Sequence, residues 1–181
     1  MMGVVYTTFM DMVAERFSED VLDEVLDDPG LSTGGAFTSV GYYGHTDMIK
    51  LVVRLSQITK LPVDTLIEAF GEHLFGVLVG KYPTLAEGRS SSMELLEVVD
   101  TAIHVEVLKL YPNAELPEFR CERLEPSVLH MEYRSKRPFS RLALGLIQGC
   151  AKHYGETLEI SHESFDSEEQ YETHFTIKRI Q

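Results

Sequence analysis

The nine residues Leu129-His-Met-Glu-Tyr-Arg-Ser-Lys-Arg137 carry a clear strand pattern. At a period of two, Leu129, Met131, Tyr133, Ser135 and Arg137 fall on one face of that strand. The face begins apolar and ends with a phenol, a hydroxyl and a guanidinium. An arginine on an apolar face needs an anion, and a planar carboxylate suits its fork well. The stretch therefore predicts a strand with a carboxylate-binding end, although a strand-end arginine that reaches solvent remains an equally simple alternative.

The residues ahead of this strand carry helical patterns, and those behind it alternate between helix and strand. Apolar side chains recur at spacings of three to five over residues 3–17, which predicts a first helix. Further helices are predicted behind Ser18, from Thr46 or Asp47 to Thr59, from Pro62 to Gly80, from 92 to 111 behind the capping box Ser91-x-x-Glu94, and from Pro138 to Tyr154. Strands are predicted over 119–125, 127–137, 157–163 and 171–180. This order predicts a helical N-terminal part joined to a mixed α/β part.

Length and charge restrict the classes of function. The 181 residues suit one domain. A net charge of −13 disfavours nucleic acid phosphates and anionic lipid, so neither nucleic acid nor a membrane is an expected partner. No run of about 18 apolar residues occurs, and the N-terminal MMGVVYTTFMDM lacks the basic start of a signal peptide. The expected location is the cytoplasm, which the low count of two cysteines also fits.

His104 differs from the other six histidines because it lies inside a predicted helix among apolar neighbours. No histidine pair has HExxH spacing, and no Cys/His cluster has zinc spacing. His130, His162 and His174 fall in strand segments with polar neighbours and are expected at the surface. Taken alone, a histidine placed like His104 is more often a core residue than a ligand. A buried neutral imidazole is nevertheless a good axial ligand for haem iron.

His104 and the Arg137 end of the strand are best explained together. A haem needs one group that holds its iron and others that hold its propionates, and both are present here. Two other classes stay open. One is a small acid–base enzyme in which Asp100 and Glu97 lie one and two turns from His104, and the other is an acidic interaction module without a cofactor. A Soret absorption band would separate the haem protein from both.

The motif Tyr133-x-Ser135-x-Arg137, with His104 upstream, resembles the haem-nitric oxide/oxygen binding (H-NOX) family, which is related to the haem domain of soluble guanylate cyclase. Pro117, thirteen residues after His104, matches the position where that family places a proline against the haem. Two further segments also look like family segments, Gly41-Tyr-Tyr-Gly-His45 and Ala69-Phe-Gly-Glu72. The resemblance covers essentially the whole chain and implies a stand-alone domain of the bacterial NO-sensor type.

The resemblance implies an α+β fold with haem b between two subdomains of one domain, residues 1–181. A distal helical subdomain would span about 1–65, and a proximal α/β subdomain with an antiparallel sheet about 66–181. His104 would be the proximal ligand and the metal-binding residue, Pro117 would contact the haem, and Tyr133, Ser135 and Arg137 would bind the propionates. The positions that match the family's distal pocket are Val5, Phe9, Leu74, Phe75, Leu78, Leu142 and Leu146.

The distal positions also imply which gas is bound. Family members that hold O₂ stably use a distal tyrosine where this chain has Leu142, which has no hydrogen-bond donor. The resemblance therefore implies a sensor of NO, with CO as a second ligand, that performs no catalysis. In the implied mechanism NO breaks the bond between iron and His104, the haem relaxes against Pro117, and a histidine kinase or a cyclic-di-GMP enzyme responds.

A second metal site is not expected from the resemblance. Some bacterial relatives carry a Cys/His zinc site near the C-terminus, but Cys150 is the only cysteine of this chain in that region. His162 and His174 alone would make a weak site.

Overall fold

The computed structural model describes residues 1–180, which form seven α-helices and a four-stranded sheet. The helices are α1 (Gly3–Arg16), α2 (Glu19–Leu26), α3 (His45–Thr59), α4 (Val63–Lys81), α5 (Ser92–Glu97), α6 (His104–Leu110) and α7 (Ser140–His153). The strands are β1 (Glu118–Glu125), β2 (Val128–Ser135), β3 (Leu158–Ser164) and β4 (Tyr171–Arg179). The predicted class, helices followed by a mixed part with an antiparallel sheet, is confirmed. No helix of the described residues has the length and apolar character needed to cross a membrane.

The predicted helix from 92 to 111 is wrong in one respect, because the chain does not run there as one α-helix. After α5, residues Val99–Ile103 form a π-helical turn, and α6 begins at His104. In this turn the amides of Ala102 and Ile103 both donate to the carbonyl oxygen of Val98 (2.8 and 3.1 Å). Single π-turns inside α-helices are rare and frequently lie at functional sites. His104 is the first residue after this turn.

The sheet has the strand order β1-β2-β4-β3, with all neighbours antiparallel. Leu129, Met131 and Tyr133 of β2 are buried on one face, as the strand period predicts. His130 and Glu132 lie between them and point to the opposite face. The sheet therefore has an apolar face toward the interior and a polar face toward solvent.

Two clusters of buried apolar side chains fill the interior. The first lies among α1, α2 and α3, and the second lies between the sheet and α7. Helix α4 contributes to both, and the change occurs between Leu74, in the first cluster, and Phe75, in the second. The division into residues 1–65 and 66–181 stays a prediction.

Helices α4 and α7 cross closely at two glycines. A Cβ atom added to Gly71 would lie 2.5 Å from the carbonyl oxygen of Leu142 and 2.8 Å from the Cα of Gly145. Backbone atoms cannot rotate away as a flexible side chain can, so any side chain at Gly71 forces the helices apart. This crossing brings Leu74 and Leu142 close to each other.

Gly71→Ala is expected to lower the free energy of unfolding by about 1–3 kcal/mol, because overpacking outweighs the gain in helix propensity. Gly76→Ala is the matched control on the same helix, since nothing lies within 4 Å of the added Cβ. The control should be neutral or stabilising by up to about 1 kcal/mol. Urea unfolding of both variants measures the difference. Equal stability of the two variants would contradict the close crossing.

Candidate cofactor site

A cavity of about 250 Å³ lies between the helices and the sheet. Its wall comes from α1, α4 and α7, from the π-turn and α6, and from β2 and the segment ahead of β1. Most of the side chains on the wall are apolar, and the polar ones are few: Tyr82, His104, Tyr111, Glu115, Tyr133, Ser135 and Arg137. Apolar cavities with a small number of placed polar groups are typical of cofactor and small-molecule sites.

His104 lies on the cavity wall, and its side chain is 15% exposed. Its Nδ1 lies 3.2 Å from Oδ1 of Asp100, one turn earlier. The same carboxylate oxygen accepts the backbone N–H of Phe119 (3.3 Å), which ties the π-turn to β1. Burial lowers the pKa of His104, and the hydrogen bond and charge of Asp100 oppose that effect. A neutral imidazole that donates Nδ1–H to Asp100 keeps the lone pair of Nε2 free.

Arg137 lies past the end of β2, also on the cavity wall, with 15% of its side chain exposed. One guanidinium nitrogen donates to the carbonyl oxygen of Glu115 (2.8 Å), and the other pairs with the Glu115 carboxylate. Glu115 itself is 81% exposed. The guanidinium therefore binds a carboxylate at the edge of an apolar cavity, and the carboxylate is one that solvent reaches easily.

Tyr133 and Ser135 shape the chain around Arg137. The Tyr133 hydroxyl donates to the carbonyl oxygen of Arg137 (3.3 Å), and Ser135 Oγ accepts the backbone N–H of Arg137 (3.1 Å). Burial raises the pKa of Tyr133, so its phenol stays protonated and able to donate. Lys136, between these residues, is exposed.

Of the twelve residues predicted for the site, all but Phe9 line this one cavity. Besides the four polar residues, they are Val5, Leu74, Phe75, Leu78, Pro117, Leu142 and Leu146. Phe9 is fully buried behind the wall, where its ring packs edge-on against Phe70 with 5.2 Å between centroids. Its contribution is to support α1 against α4.

Two tyrosines on the wall were not expected from the sequence. The hydroxyls of Tyr82, at the end of α4, and Tyr111, at the end of α6, lie 3.1 Å apart and both residues line the cavity. Their sequence separation of 29 residues gives no signal, because only the fold brings the two helix ends together. Two other side chains with hydrogen-bond donors, His73 and Tyr154, are not among the residues on the wall.

The residues present fit a haem. An imidazole lone pair is available inside the cavity, an arginine that already binds a carboxylate lies at its edge, and apolar side chains form the remainder of the wall. Iron porphyrins are held by axial ligands such as histidine, and the surrounding pocket decides which gases bind.

Comparison with known proteins gives the same answer. Residues 2–162 match the haem-NO-binding family, HNOB. An H-NOX protein from K. algicida, solved in the unliganded Fe(II) state, is 32% identical over 100% of this chain and 97% of that chain, with a TM-score of 0.92. The IWP-051-bound H-NOX from Shewanella woodyi, solved in the Fe(II)CO state, is 41% identical over 99% of this chain and 94% of that chain, with a TM-score of 0.82.

Among curated proteins, the soluble guanylate cyclase gcy-34 of Caenorhabditis elegans is 27% identical over 158 residues, which are 84% of this chain and 23% of that protein. The chain thus spans about a quarter of the length of the curated relatives it matches. The chain belongs to the haem-NO-binding family, whose H-NOX domains bind haem and serve as non-catalytic sensors of diatomic gases.

Proposed function

We propose that this chain binds haem b in the cavity and senses NO at ferrous iron, with His104 as its protein ligand. The observation that carries the proposal is the pair His104 and Asp100, set in an otherwise apolar wall. A histidine that donates Nδ1–H to a carboxylate presents Nε2 to a metal in a fixed orientation, and the carboxylate raises its basicity. A bound ferrous haem would supply an open coordination position for NO or CO.

Arg137 is proposed to bind a propionate in place of Glu115. The exposed Glu115 side chain loses little when it turns into solvent, whereas the guanidinium stays at the cavity edge. Tyr133 and Ser135 hydrogen-bond the backbone of Arg137 and thereby position its guanidinium. Both residues also line the cavity. The Ser135 hydroxyl only accepts from Arg137 and so keeps its O–H for a propionate, whereas the Tyr133 hydroxyl would exchange its bond to Arg137 for one to a propionate.

Arg137→Ala should weaken haem retention more than Lys136→Ala, because Lys136 is exposed on the other side of the chain. The lost charge-assisted pair corresponds to about 2–3 kcal/mol. Transfer of haem to apomyoglobin, followed by absorbance, gives the dissociation rates of the two variants. Equal rates would mean that Arg137 does not bind the cofactor.

The signal is proposed to start at His104. NO binding would release His104 from iron, and α6 would then stay joined to the π-turn ahead of it and to α4 through the hydrogen bond between Tyr111 and Tyr82. The π-turn directly precedes His104, and such turns frequently lie at functional sites, so this turn is proposed as the segment that changes conformation. NO shifts the population toward the relaxed arrangement only if it binds that arrangement more tightly.

The partner is proposed to be a histidine kinase or a cyclic-di-GMP enzyme. The net charge of −13 offers such a partner electrostatic complementarity, which mainly raises association rates.

The pairing of Asp100 with His104 does not make the domain an enzyme, because H-NOX domains are sensors.

One spectroscopic experiment tests the proposal. The purified protein, reconstituted with haem if necessary, is expected to show a Soret band, and NO added to the ferrous form should shift it to the position of a five-coordinate complex. The absence of a Soret band after reconstitution would leave the cofactor-free interaction module as the better description. A six-coordinate NO complex would contradict the loss of the His104 bond.

A further inference from the structure

The polar face of the sheet carries a second cluster of metal-ligating side chains, on the side of β2 opposite the cavity. His130 and Glu132 are two residues apart on β2, and His174 on β4 lies directly opposite Glu132 in the register. One ligand atom from each residue lies within 4.8 Å of the others. Their strand neighbours Leu129 and Met131 point the other way, into the core. The cluster is therefore separated from the proposed haem site by the sheet itself.

We infer that His130, Glu132 and His174 form a site for one divalent transition-metal ion of the zinc class. Two imidazole nitrogens and one carboxylate are a ligand set for Zn²⁺ that leaves the fourth tetrahedral position to water or another ligand. Mg²⁺ and Ca²⁺ prefer oxygen ligands throughout, so two imidazoles disfavour them. The strongly acidic chain also attracts cations.

A further carboxylate orients one of the two imidazoles. Nε2 of His174 lies 2.7 Å from Oε1 of Glu172, on the same face of β4. Arg134 also donates to Oε1 of Glu172 (3.2 Å), which holds this carboxylate in place. A neutral His174 that donates Nε2–H to Glu172 presents the lone pair of Nδ1. Carboxylate–histidine–metal arrangements of this kind fix the tautomer and strengthen the ligand.

Arg134 is a positively charged side chain beside the proposed metal ligands, and its charge opposes the binding of a metal ion. Its guanidinium lies 3.1 Å from Glu172 and 3.5 Å from Glu132. The contact to Glu132 is the longer one, so Glu132 can turn to a metal while Arg134 keeps its pair with Glu172. Ligand atoms around tetrahedral zinc lie roughly 3.3 Å apart. The three ligand atoms already lie within 4.8 Å of one another, so each pair must close by about 1.5 Å or less.

The backbone already fixes most of the geometry. The register of β2 and β4 sets Glu132 against His174, and aromatic neighbours restrict the His174 ring, with Phe165 at 4.7 Å and His130 at 5.4 Å between centroids. No cysteine takes part, because Cys150 is buried in the core and Cys121 bonds the carbonyl oxygen of Leu96. The site is thus distinct from the Cys/His zinc site of some relatives.

Equilibrium dialysis of the haem-loaded, tag-free protein against ZnCl₂, with the bound zinc quantified, tests the inference. We expect one Zn²⁺ per chain. His130→Ala, His174→Ala and the isosteric Glu132→Gln should each weaken binding at least about tenfold, the lower end of the loss seen when only an outer-shell partner of a metal ligand is removed. His162→Ala is the matched control, because His162 is exposed on β3 and its strand partner is Phe175, on the other face of the sheet.

Unfolding of a variant is recognised by loss of its haem absorption, and Glu132→Gln is the variant least able to disturb the fold. For that variant a second readout is the melting temperature, which should rise with Zn²⁺ in the wild type and in His162→Ala but not in Glu132→Gln. The inference is overturned if the wild type binds no zinc. It is equally overturned if zinc binds and the Glu132→Gln and His162→Ala variants retain it equally well.

Discussion

The His104→Gly protein is expected to purify without haem and to recover haem only when imidazole is supplied during expression. His104 is the only histidine on the cavity wall within the described residues, so no second imidazole replaces it. Glycine leaves a space of the shape of the missing ring, bordered by Asp100 and Phe119, which free imidazole can enter. Imidazole bound there would meet the same carboxylate oxygen at its other nitrogen. The ratio of Soret to protein absorbance, with and without imidazole, measures the effect.

A matched control separates ligand loss from helix destabilisation. His73→Gly also places glycine inside a helix, at a similar cost of about 1 kcal/mol, but removes no side chain from the cavity wall. It should load haem as the wild type does, with no response to imidazole. Normal loading of His104→Gly without imidazole would contradict the assignment of the iron ligand. Loss of haem from both variants would point to instability instead.

The strand pattern was the most reliable source of prediction from sequence. The alternation of Leu129, Met131 and Tyr133 is confirmed by their burial, and it also accounts for Arg137 at the cavity edge although β2 ends at Ser135. Period-two patterns transfer well to structure because a strand has little freedom to rotate its side chains between faces.

The break between α5 and α6 could not be predicted in the same way. The stretch from Ser92 to Leu110 has helical periodicity throughout, and the π-turn depends on contacts made elsewhere. Asp100 binds both His104 and the amide of Phe119 in β1, which lies outside the helix. The π-turn is thus accompanied by a tertiary contact that helical periodicity does not reveal. The pairs Tyr82 with Tyr111 and Glu132 with His174 escaped prediction for the related reason that helix ends and strand registers meet only in the fold.

The ferrous protein is expected to bind NO and CO but to form no persistent complex with O₂. Bound O₂ carries partial negative charge and is stabilised by a hydrogen-bond donor, whereas NO gains little from one. Leu142, which the family resemblance matches to the distal tyrosine of O₂-holding members, lines the cavity and cannot donate. The missing hydrogen bond corresponds to about 1–3 kcal/mol, or roughly 10–100-fold in O₂ affinity. The protein then favours NO over O₂ because bound O₂ lacks a stabilising hydrogen bond, and no steric exclusion of O₂ is required.

Two tyrosine hydroxyls, those of Tyr82 and Tyr111, bear on this expectation because a hydroxyl can donate a hydrogen bond and both residues line the cavity. Tyr82 and Tyr111 hydrogen-bond each other, so one of the two O–H groups is used within the pair, while the O–H of the accepting tyrosine stays free to donate. Burial and the Tyr82 hydroxyl raise the pKa of Tyr111 to about 12, which keeps the Tyr111 phenol neutral at ordinary pH. The expectation of no persistent O₂ complex therefore requires that this free O–H does not reach a gas bound at iron.

The measurement is to reduce the wild-type protein, remove the reductant, admit air and record the spectrum over time. We expect the ferrous spectrum to persist or to decay to the ferric form without an oxy-haem intermediate. Leu142→Tyr should shift the balance toward O₂ if the new ring is accommodated, with Leu142→Phe as the control that adds the ring without the hydroxyl. A persistent oxy-haem spectrum in the wild type would contradict the prediction, because a donor must then reach the bound gas. Tyr82→Phe and Tyr111→Phe would show which hydroxyl it is, since only removal of the true donor should abolish the oxy-haem complex while leaving NO binding unchanged.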